Sequence, residues 1–304
     1  MPDKWMLELQ TKVGCDQVLF NEPMAKHTTF RVGGPAEVLV KPGSRQQIAT
    51  VIEVCQKVDV PWIVIGSGSN LLVRSGGIKG VVIDLGANFR EITITNQTIV
   101  ATAGIRLTSL SRQAAQHELT GLEFAEGIPG SLGGAVFMNA GAYDGEISQV
   151  VTAVISLDPQ TGEEVLRSRD DLGFSYRHSC FQQNGEIILE ATMSLAAGKR
   201  DEITAQMQKL SSCRREKQPL DFPSAGSTFK RPPGYYVGPL LEELGLKGYA
   251  IGGAQVSQKH GGFIINRGGA SADDVLALIN YVQEQVFKAK GIRLETEVRI
   301  VGEP

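Results

Sequence analysis

The sequence predicts an α+β fold, with strands arriving in hairpins as often as in strand–helix alternation. Three observations lead there. Four stretches repeat apolar residues at the helical period, nine short stretches read as strands, and two turn signals sit between neighbouring strands. Asn96-Gln97 and Pro159-Gln160-Thr161-Gly162 are those turns, the hairpin connections expected of an antiparallel sheet. A doubly wound parallel sheet would show strict alternation instead.

In chain order, 36–40 reads as a strand. A helix is predicted over 44–58, with Ile48, Val51, Ile52 and Cys55 on one face, a capping-box pair in Ser44 and Gln47, and Pro61 beyond its end. Strands are predicted at 62–65, 81–85, 91–95 and 98–101, and a second helix over 107–119, stopped by Gly121. Strands follow at 150–157, 164–168 and 186–194, then a third helix over 201–215 with Ile203, Met207 and Leu210 inward. The strongest helix is 271–290: Val275, Leu278, Ile279, Val282 and Val286 form its stripe, Ser271 caps it and Gly291 stops it. The last strand is predicted at 293–301. The helix at 201–215 and the Pro/Gly-rich stretch after Pro219 place a domain boundary near 205, giving regions 1–205 (two lobes, split near 90) and 206–304.

With 304 residues, 42% hydrophobic and 21% charged, the chain can build a substantial core and is not disordered. A net charge of -3 argues against a dedicated nucleic-acid binder. Cys15, Cys55, Cys180 and Cys213 contain no C-x-x-C pair, and the four histidines show no metal spacing, so no metal site is expected. The first residues lack the apolar core of a signal peptide, and no run approaches the ~18 apolar residues of a membrane span. A cytoplasmic location and no membrane insertion are the expectations.

Two glycine-rich segments stand out. Gly66-Ser67-Gly68-Ser69-Asn70 follows the strand at 62–65 and lets backbone N–H groups converge on an anion. It is no dinucleotide fingerprint, because Leu71 stands where the third glycine belongs, and no P-loop, because no G-K-[ST] occurs. Glu126-Gly127-Ile128-Pro129-Gly130-Ser131-Leu132-Gly133-Gly134 is the second, bare enough for a flat ring or a diphosphate to rest on backbone. Taken alone, the first reads better as a plain turn between strands, and the second has the alternative of a tight turn before a buried helix. Together they suit one large ligand with phosphates and an aromatic plane, such as FAD.

Three polar segments are too specific for bare surface: Ser175-Tyr176-Arg177-His178-Ser179, Ser224 to Pro232, and Leu294-Glu295-Thr296-Glu297-Val298-Arg299. Alternation on the last strand puts Glu295, Glu297 and Arg299 on one face, either solvated or lining a cleft.

The set F-R-V-G-G (30–34), G-S-G-S-N-L-L (66–72), G-I-P-G-S-x-G-G (127–134), N-A-G-A-Y (139–143), Y-R-x-S (176–179), A-G-S-x-F-K-x-P (225–232) and L-E-x-E-V-R (294–299) resembles the UDP-N-acetylenolpyruvoylglucosamine reductase family. The resemblance runs in order from about residue 20 to 301, in the shorter type that lacks the loop with a substrate-binding tyrosine. It implies an FAD-binding fold of the vanillyl-alcohol oxidase/p-cresol methylhydroxylase type, with a C-terminal α+β substrate-binding domain whose last strand returns to the active site. It also implies a flavoenzyme of peptidoglycan precursor synthesis, with non-covalent FAD and NADPH as co-substrate, and a monomer is favoured. Two other readings compete: an FAD-dependent sugar or alcohol oxidase on the same fold, which keeps both glycine loops, and a non-catalytic UDP-sugar-binding protein.

The implied reaction reduces an enolpyruvyl ether, building negative charge on the carbon beside a carboxylate. A cationic clamp and a proton donor are then required. Arg177 matches the family's active-site arginine, Ser227 its proton donor and Glu297 its glutamate, although strand alternation alone allows Glu295 equally. Gly66, Ser67, Gly68, Ser69, Asn70 and Leu71 are the implied diphosphate contacts, with Gly127, Gly130, Ser131 and Gly133 near the ring or diphosphate. For the substrate's own diphosphate, Lys217 and Arg231 align with family contacts, and Lys230, Lys247 and Lys259 are further cationic candidates.

Overall fold

The computed structural model describes residues 2–304. The chain folds as two compact units: Met1–Phe20, Val38–Ser67 and Gly80–Cys213 form the first, and Asn21–Glu37, Gly68–Lys79 and Arg214–Pro304 the second. Strands and helices mix in both, so the fold is α+β. One sheet runs in the order Val18–Pro23, Pro35–Val40, Ile78–Asp84, Trp62–Ile65, and its last pair is parallel.

In the first unit the predicted helix forms as Arg45–Lys57, and its apolar face is fully used: Ile48, Val51, Ile52 and Cys55 are all buried. Burial pushes the Cys55 thiol up to about 11. Ser44 Oγ accepts from Gln47 N–H at 3.2 Å, whereas the Gln47 side chain bonds Gly43 N–H and the Val13 carbonyl rather than closing the box. A five-stranded antiparallel sheet follows, in the order Glu164–Ser168, Val151–Leu157, Ile187–Ser194, Thr98–Thr102, Ile92–Thr95. Its inner face comes from Ile99, Ala101, Val151, Val154, Leu157, Ala191 and Met193, all buried in one core. Its two predicted hairpin turns form: Asn96 takes φ 53° and Gly162 φ 74°, the left-handed values such turns need.

The second unit has a four-stranded antiparallel sheet in the order Ser224–Ser227, Phe263–Asn266, Ala254–Val256, Ala250–Ile251. The helix Ala272–Lys290 supplies Val275, Leu278, Ile279, Val282 and Val286 to the same core as Phe30, Val32, Leu72 and Leu294. Each such side chain contributes about 1.5–3 kcal/mol before chain entropy is subtracted. The capping box is complete: Ser271 Oγ accepts from Asp274 N–H and Asp274 Oδ2 from Ser271 N–H, both at 3.0 Å, and Gly291 ends the helix in the left-handed region.

The C-terminal strand is far shorter than predicted. Only Arg299–Val301 is strand, paired in parallel with Leu71–Val73, the strand that directly follows the first glycine loop. Residues 291–295 form no ladder, and Thr296 makes a single bridge to Phe229. Val298 and Leu294 are buried for packing reasons, and their spacing of four imitates a strand face. The sequence also gave no hint of the helix Lys4–Val13 or of the 250–266 hairpins, whose strands are two to four residues long.

Candidate functional site

The buried end of the strand Trp62–Ile65 delivers the chain into the first glycine loop. Gly66 lies so close to Ser131 that a Cβ there would sit 2.0 Å from Ser131 Oγ. The two glycine loops, far apart in sequence, therefore touch within the first unit. Gly68 adopts φ 59° and leaves no room either, since its Cβ would meet the His27 carbonyl oxygen at 1.9 Å. Among the described residues, no backbone N–H from Gly66 to Asn70 donates to another protein group. Five consecutive donors without acceptors, in a loop that is buried or half-buried, are chemically able to receive an anion. Asn70 is otherwise engaged: its Nδ2 donates to the Glu297 carbonyl at 3.0 Å and its carbonyl accepts from Arg299 N–H at 3.0 Å. Leu71 begins the strand paired with Arg299.

In the second loop Ser131 caps the seven-residue helix Leu132–Met138, its Oγ accepting from Gly134 N–H at 3.4 Å. The N–H groups of Leu132 and Gly133 donate inward to the carbonyls of Ile105 and Ala103 at 2.9 and 2.8 Å. Ser131 is buried, while Gly127 and Gly130 are half-buried. So Ser131 and Gly133 build the loop, and the Gly130 carbonyl ties it to Leu107 N–H at 3.0 Å.

Arg177 lies at the tip of a two-residue turn in the first unit. Ser175 and His178 exchange both backbone hydrogen bonds, at 3.2 and 3.1 Å, with Tyr176 and Arg177 between them. Arg177 takes φ 56°, the position a glycine or asparagine would normally fill. A non-glycine residue there carries strain of about 1–2 kcal/mol, which the surrounding structure must hold in place. The guanidinium lies 5.1 Å from the centroid of the exposed Tyr176 ring.

The segments that carry Ser227 and Glu297 lie side by side in the second unit. Glu297 N–H donates to the Thr228 carbonyl at 2.8 Å, Phe229 bridges Thr296, and Lys230 N–H donates to the Glu295 carbonyl at 2.9 Å. The segment carrying Ser227 thus runs antiparallel to the one carrying Glu297. Ser227 follows a β-bulge: Ser224 pairs with Ile265 but Ser227 with Phe263, three residues against two. Gly226, at φ 74°, makes the bulge possible, and such bulges re-aim the next side chain. Glu295 is three-quarters exposed and ion-paired with Lys230 at 3.3 Å, whereas Glu297 is half-buried.

The cationic candidates all fall in the second unit, in different settings. Lys230 is paired with Glu295, Lys247 with Glu242 at 3.2 Å, and Lys259 Nζ donates to the Arg215 carbonyl at 2.6 Å. Arg231 stacks 4.4 Å from the centroid of Tyr236. Lys217 closes the helix Arg200–Lys217 as an exposed residue.

Sequence reasoning missed the residues that hold these groups. Thr29 binds two elements at once: its N–H donates to the Gly68 carbonyl at 3.2 Å and its Oγ1 to the Ser224 carbonyl at 2.6 Å. Asn139, buried and in the left-handed region, donates from Nδ2 to the Ser175 carbonyl at 3.1 Å. The only available signal was their place inside or beside the F-R-V-G-G and N-A-G-A-Y motifs.

A family model for an FAD-binding domain matches residues 36–165. A second, for the UDP-N-acetylenolpyruvoylglucosamine reductase C-terminal domain, matches 218–301. Likeness to alkyldihydroxyacetonephosphate synthase, with a TM-score of 0.51 at 18% identity over 65% of this chain and 41% of that one, adds the fold alone. The fold is that of the vanillyl-alcohol oxidase type of FAD enzymes, and the chain is an FAD-containing oxidoreductase. A UDP-N-acetylenolpyruvoylglucosamine reductase from Syntrophomonas wolfei is 50% identical over 288 residues, 95% of this chain and 96% of that protein. Another from Caldanaerobacter subterraneus is 50% identical over 287 residues, 94% of each. The crystal structure of the UDP-N-acetylenolpyruvylglucosamine reductase of Thermus caldophilus matches with a TM-score of 0.80 at 35% identity, covering 93% of this chain and 98% of that one. The chain belongs to the UDP-N-acetylenolpyruvoylglucosamine reductase family. Its residues fit the cofactor: the donors of 66–70 have no protein acceptor, and side chains at 66 and 68 are sterically forbidden.

Proposed function

We propose that this protein reduces the enolpyruvyl ether of UDP-N-acetylglucosamine to UDP-N-acetylmuramate, a peptidoglycan precursor, with NADPH as reductant. The observation that supports it most is that the segment carrying Ser227 and the segment carrying Glu297 are hydrogen-bonded antiparallel neighbours, the second tied through Asn70 to the first glycine loop. In this reading residues 1–205 serve the flavin and 206–304 the sugar nucleotide, and the reaction takes place in the cytoplasm.

FAD, when bound, supplies the hydride-transfer chemistry that no side chain can. The N–H groups of Gly66 to Asn70 would hold its diphosphate, with Gly127 and Gly130 presenting bare backbone nearby. The remaining tasks belong to side chains. The Arg177 guanidinium grips the enolpyruvyl carboxylate through two parallel N–H···O bonds and stays charged throughout. Once the terminal carbon has gained hydride, charge collects on the carbon bearing the ether oxygen and spreads into that carboxylate. Glu297 steadies the growing enolate, by hydrogen bonding if its carboxyl is protonated. Ser227 gives its hydroxyl proton to that carbon, completing reduction of the double bond, and solvent reprotonates the serine oxygen. Lys217 and Arg231 are proposed contacts of the substrate diphosphate, with Lys230, Lys247 and Lys259 as further candidates.

The test is optical. Purified protein should show flavin bands that NADPH bleaches without oxygen and that return on adding the enolpyruvyl sugar nucleotide. A colourless protein would favour a binding role. Bands that return only with oxygen, alongside oxygen uptake on a sugar alcohol, would favour an oxidase.

A further inference from the structure

We propose that Asn139 and Gln182 are positioning residues for Arg177, registering its strained turn against the helix that grows from the second glycine loop. The inference rests on the reading of Arg177 above. All the groups lie in the first unit.

The helix Leu132–Met138 has the glycine loop at one end and the Arg177 turn at the other. At seven residues it is about 10 Å long. Its C-terminal carbonyls would lack intrahelical partners. The segment around Arg177 supplies partners for one of them: the Phe137 carbonyl accepts from Ser179 Oγ at 2.8 Å and from Gln182 Nε2 at 2.9 Å. The same Gln182 amide donates to the Arg177 carbonyl at 2.9 Å. Its two hydrogens thus tie the strained residue to the helix end.

Asn139 makes the matching tie on the other side of the turn. It ends the helix at φ 41°, is 1% exposed, accepts on Oδ1 from Ser148 N–H at 3.0 Å and donates from Nδ2 to the Ser175 carbonyl at 3.1 Å. A buried amide with both ends satisfied has one orientation, so it fixes Ser175. The turn is held through Ser175 by one amide and through Arg177 by another. This over-determination is what a left-handed arginine requires to persist. A bidentate grip on a carboxylate tolerates little displacement, and misplacement of about 1 Å can lower rate about 100-fold.

Gln182→Met keeps the side chain's length and removes the bonds to the Phe137 and Arg177 carbonyls. Asn139→Asp keeps shape and the bond from Ser148 but turns a carboxylate oxygen toward the Ser175 carbonyl. Gln182 is exposed, so Gln182→Met should fold normally and keeps the test alive if Asn139→Asp does not. Each should raise KM for the enolpyruvyl sugar nucleotide and lower kcat, together about 10- to 100-fold, while bleaching by NADPH keeps its rate. In an Arg177→Lys background, where the two-pronged grip is already gone, the same substitutions should change kcat/KM less than about twofold. Hydrogen exchange at the amides of Ser175 and His178 should quicken. Equal losses in both backgrounds would mean general structural damage and overturn the proposal. So would normal kcat/KM in Gln182→Met and Asn139→Asp when Arg177→Lys is impaired. Near-normal turnover of Arg177→Lys would instead remove the role given to Arg177, and the proposal with it.

Discussion

The Arg177 turn and the adjacent segments that carry Ser227 and Glu297 are built in opposite ways. Arg177 sits on a hairpin tip in a strained conformation, and side-chain amides from Asn139 and Gln182 hold it there. Ser227 and Glu297 are set by backbone, through the Thr228 carbonyl, the Phe229–Thr296 bridge and the bulge at Gly226. A backbone-held group is disturbed chiefly by substitutions that alter backbone conformation. A side-chain-held group can be released by deleting one amide. The two regions should therefore respond to different mutations.

The largest effect is expected at Ser227. Ser227→Ala should leave flavin reduction by NADPH intact and slow reoxidation by substrate by about two to four orders of magnitude. Rapid mixing measures both half-reactions, and normal reoxidation would take Ser227 out of the mechanism. Arg177→Lys should follow, with kcat/KM down by about 10- to 100-fold, since a point charge cannot reproduce a guanidinium fork. Steady-state kinetics with the sugar nucleotide varied decides it.

Gly226→Ala sharpens the contrast. Nothing lies within 4 Å of the added methyl, so the penalty comes from φ 74° alone. About 1 kcal/mol of strain should lower the melting temperature by about 2–4 °C. Turnover should fall more than that loss implies, because the bulge aims Ser227. Unchanged turnover at a lowered melting point would mean that the bulge is only structural.

The smallest effect separates the regions by acid. Glu186 lies just beyond the Arg177 turn and is held by Arg167, whose Nε donates at 2.7 Å, and by Ser156 Oγ at 2.6 Å. The Arg167 bonds, aided by Ser156, keep its carboxyl below the ordinary carboxylate value despite partial burial. Its stabilising contribution is complete above the unfolded carboxylate value, about 4.3, and is lost as pH falls through the lower folded value. Hydrogen exchange, corrected for intrinsic rate, should then rise in 164–190 before 224–230. In Glu186→Gln that difference should already be present at neutral pH. Simultaneous loosening of both regions would show that Arg167–Glu186 does not set the order.

Helices were legible wherever the apolar face and both ends are local, as in Ser271 to Gly291. The strand at 62–65 was legible for the same reason. The glycine loops and the polar segments stood out because their composition suits neither core nor ordinary surface. The choice between Glu295 and Glu297 was not legible, because alternation presumes a regular strand and the chain has none there.

The amino-acid order by itself determined the α+β class, the capped helices, the bare loops and the presence of an arginine, a serine and a glutamate suited to enolate chemistry. Only tertiary structure decided that Gly66 would rest on Ser131, that Asn70 would hold the Glu297 carbonyl, and that Asn139 would reach Ser175. The first set follows from sterics and hydrogen bonds within a few residues. The second joins groups as many as 227 positions apart, and forms only after burial of the two cores has brought those segments together.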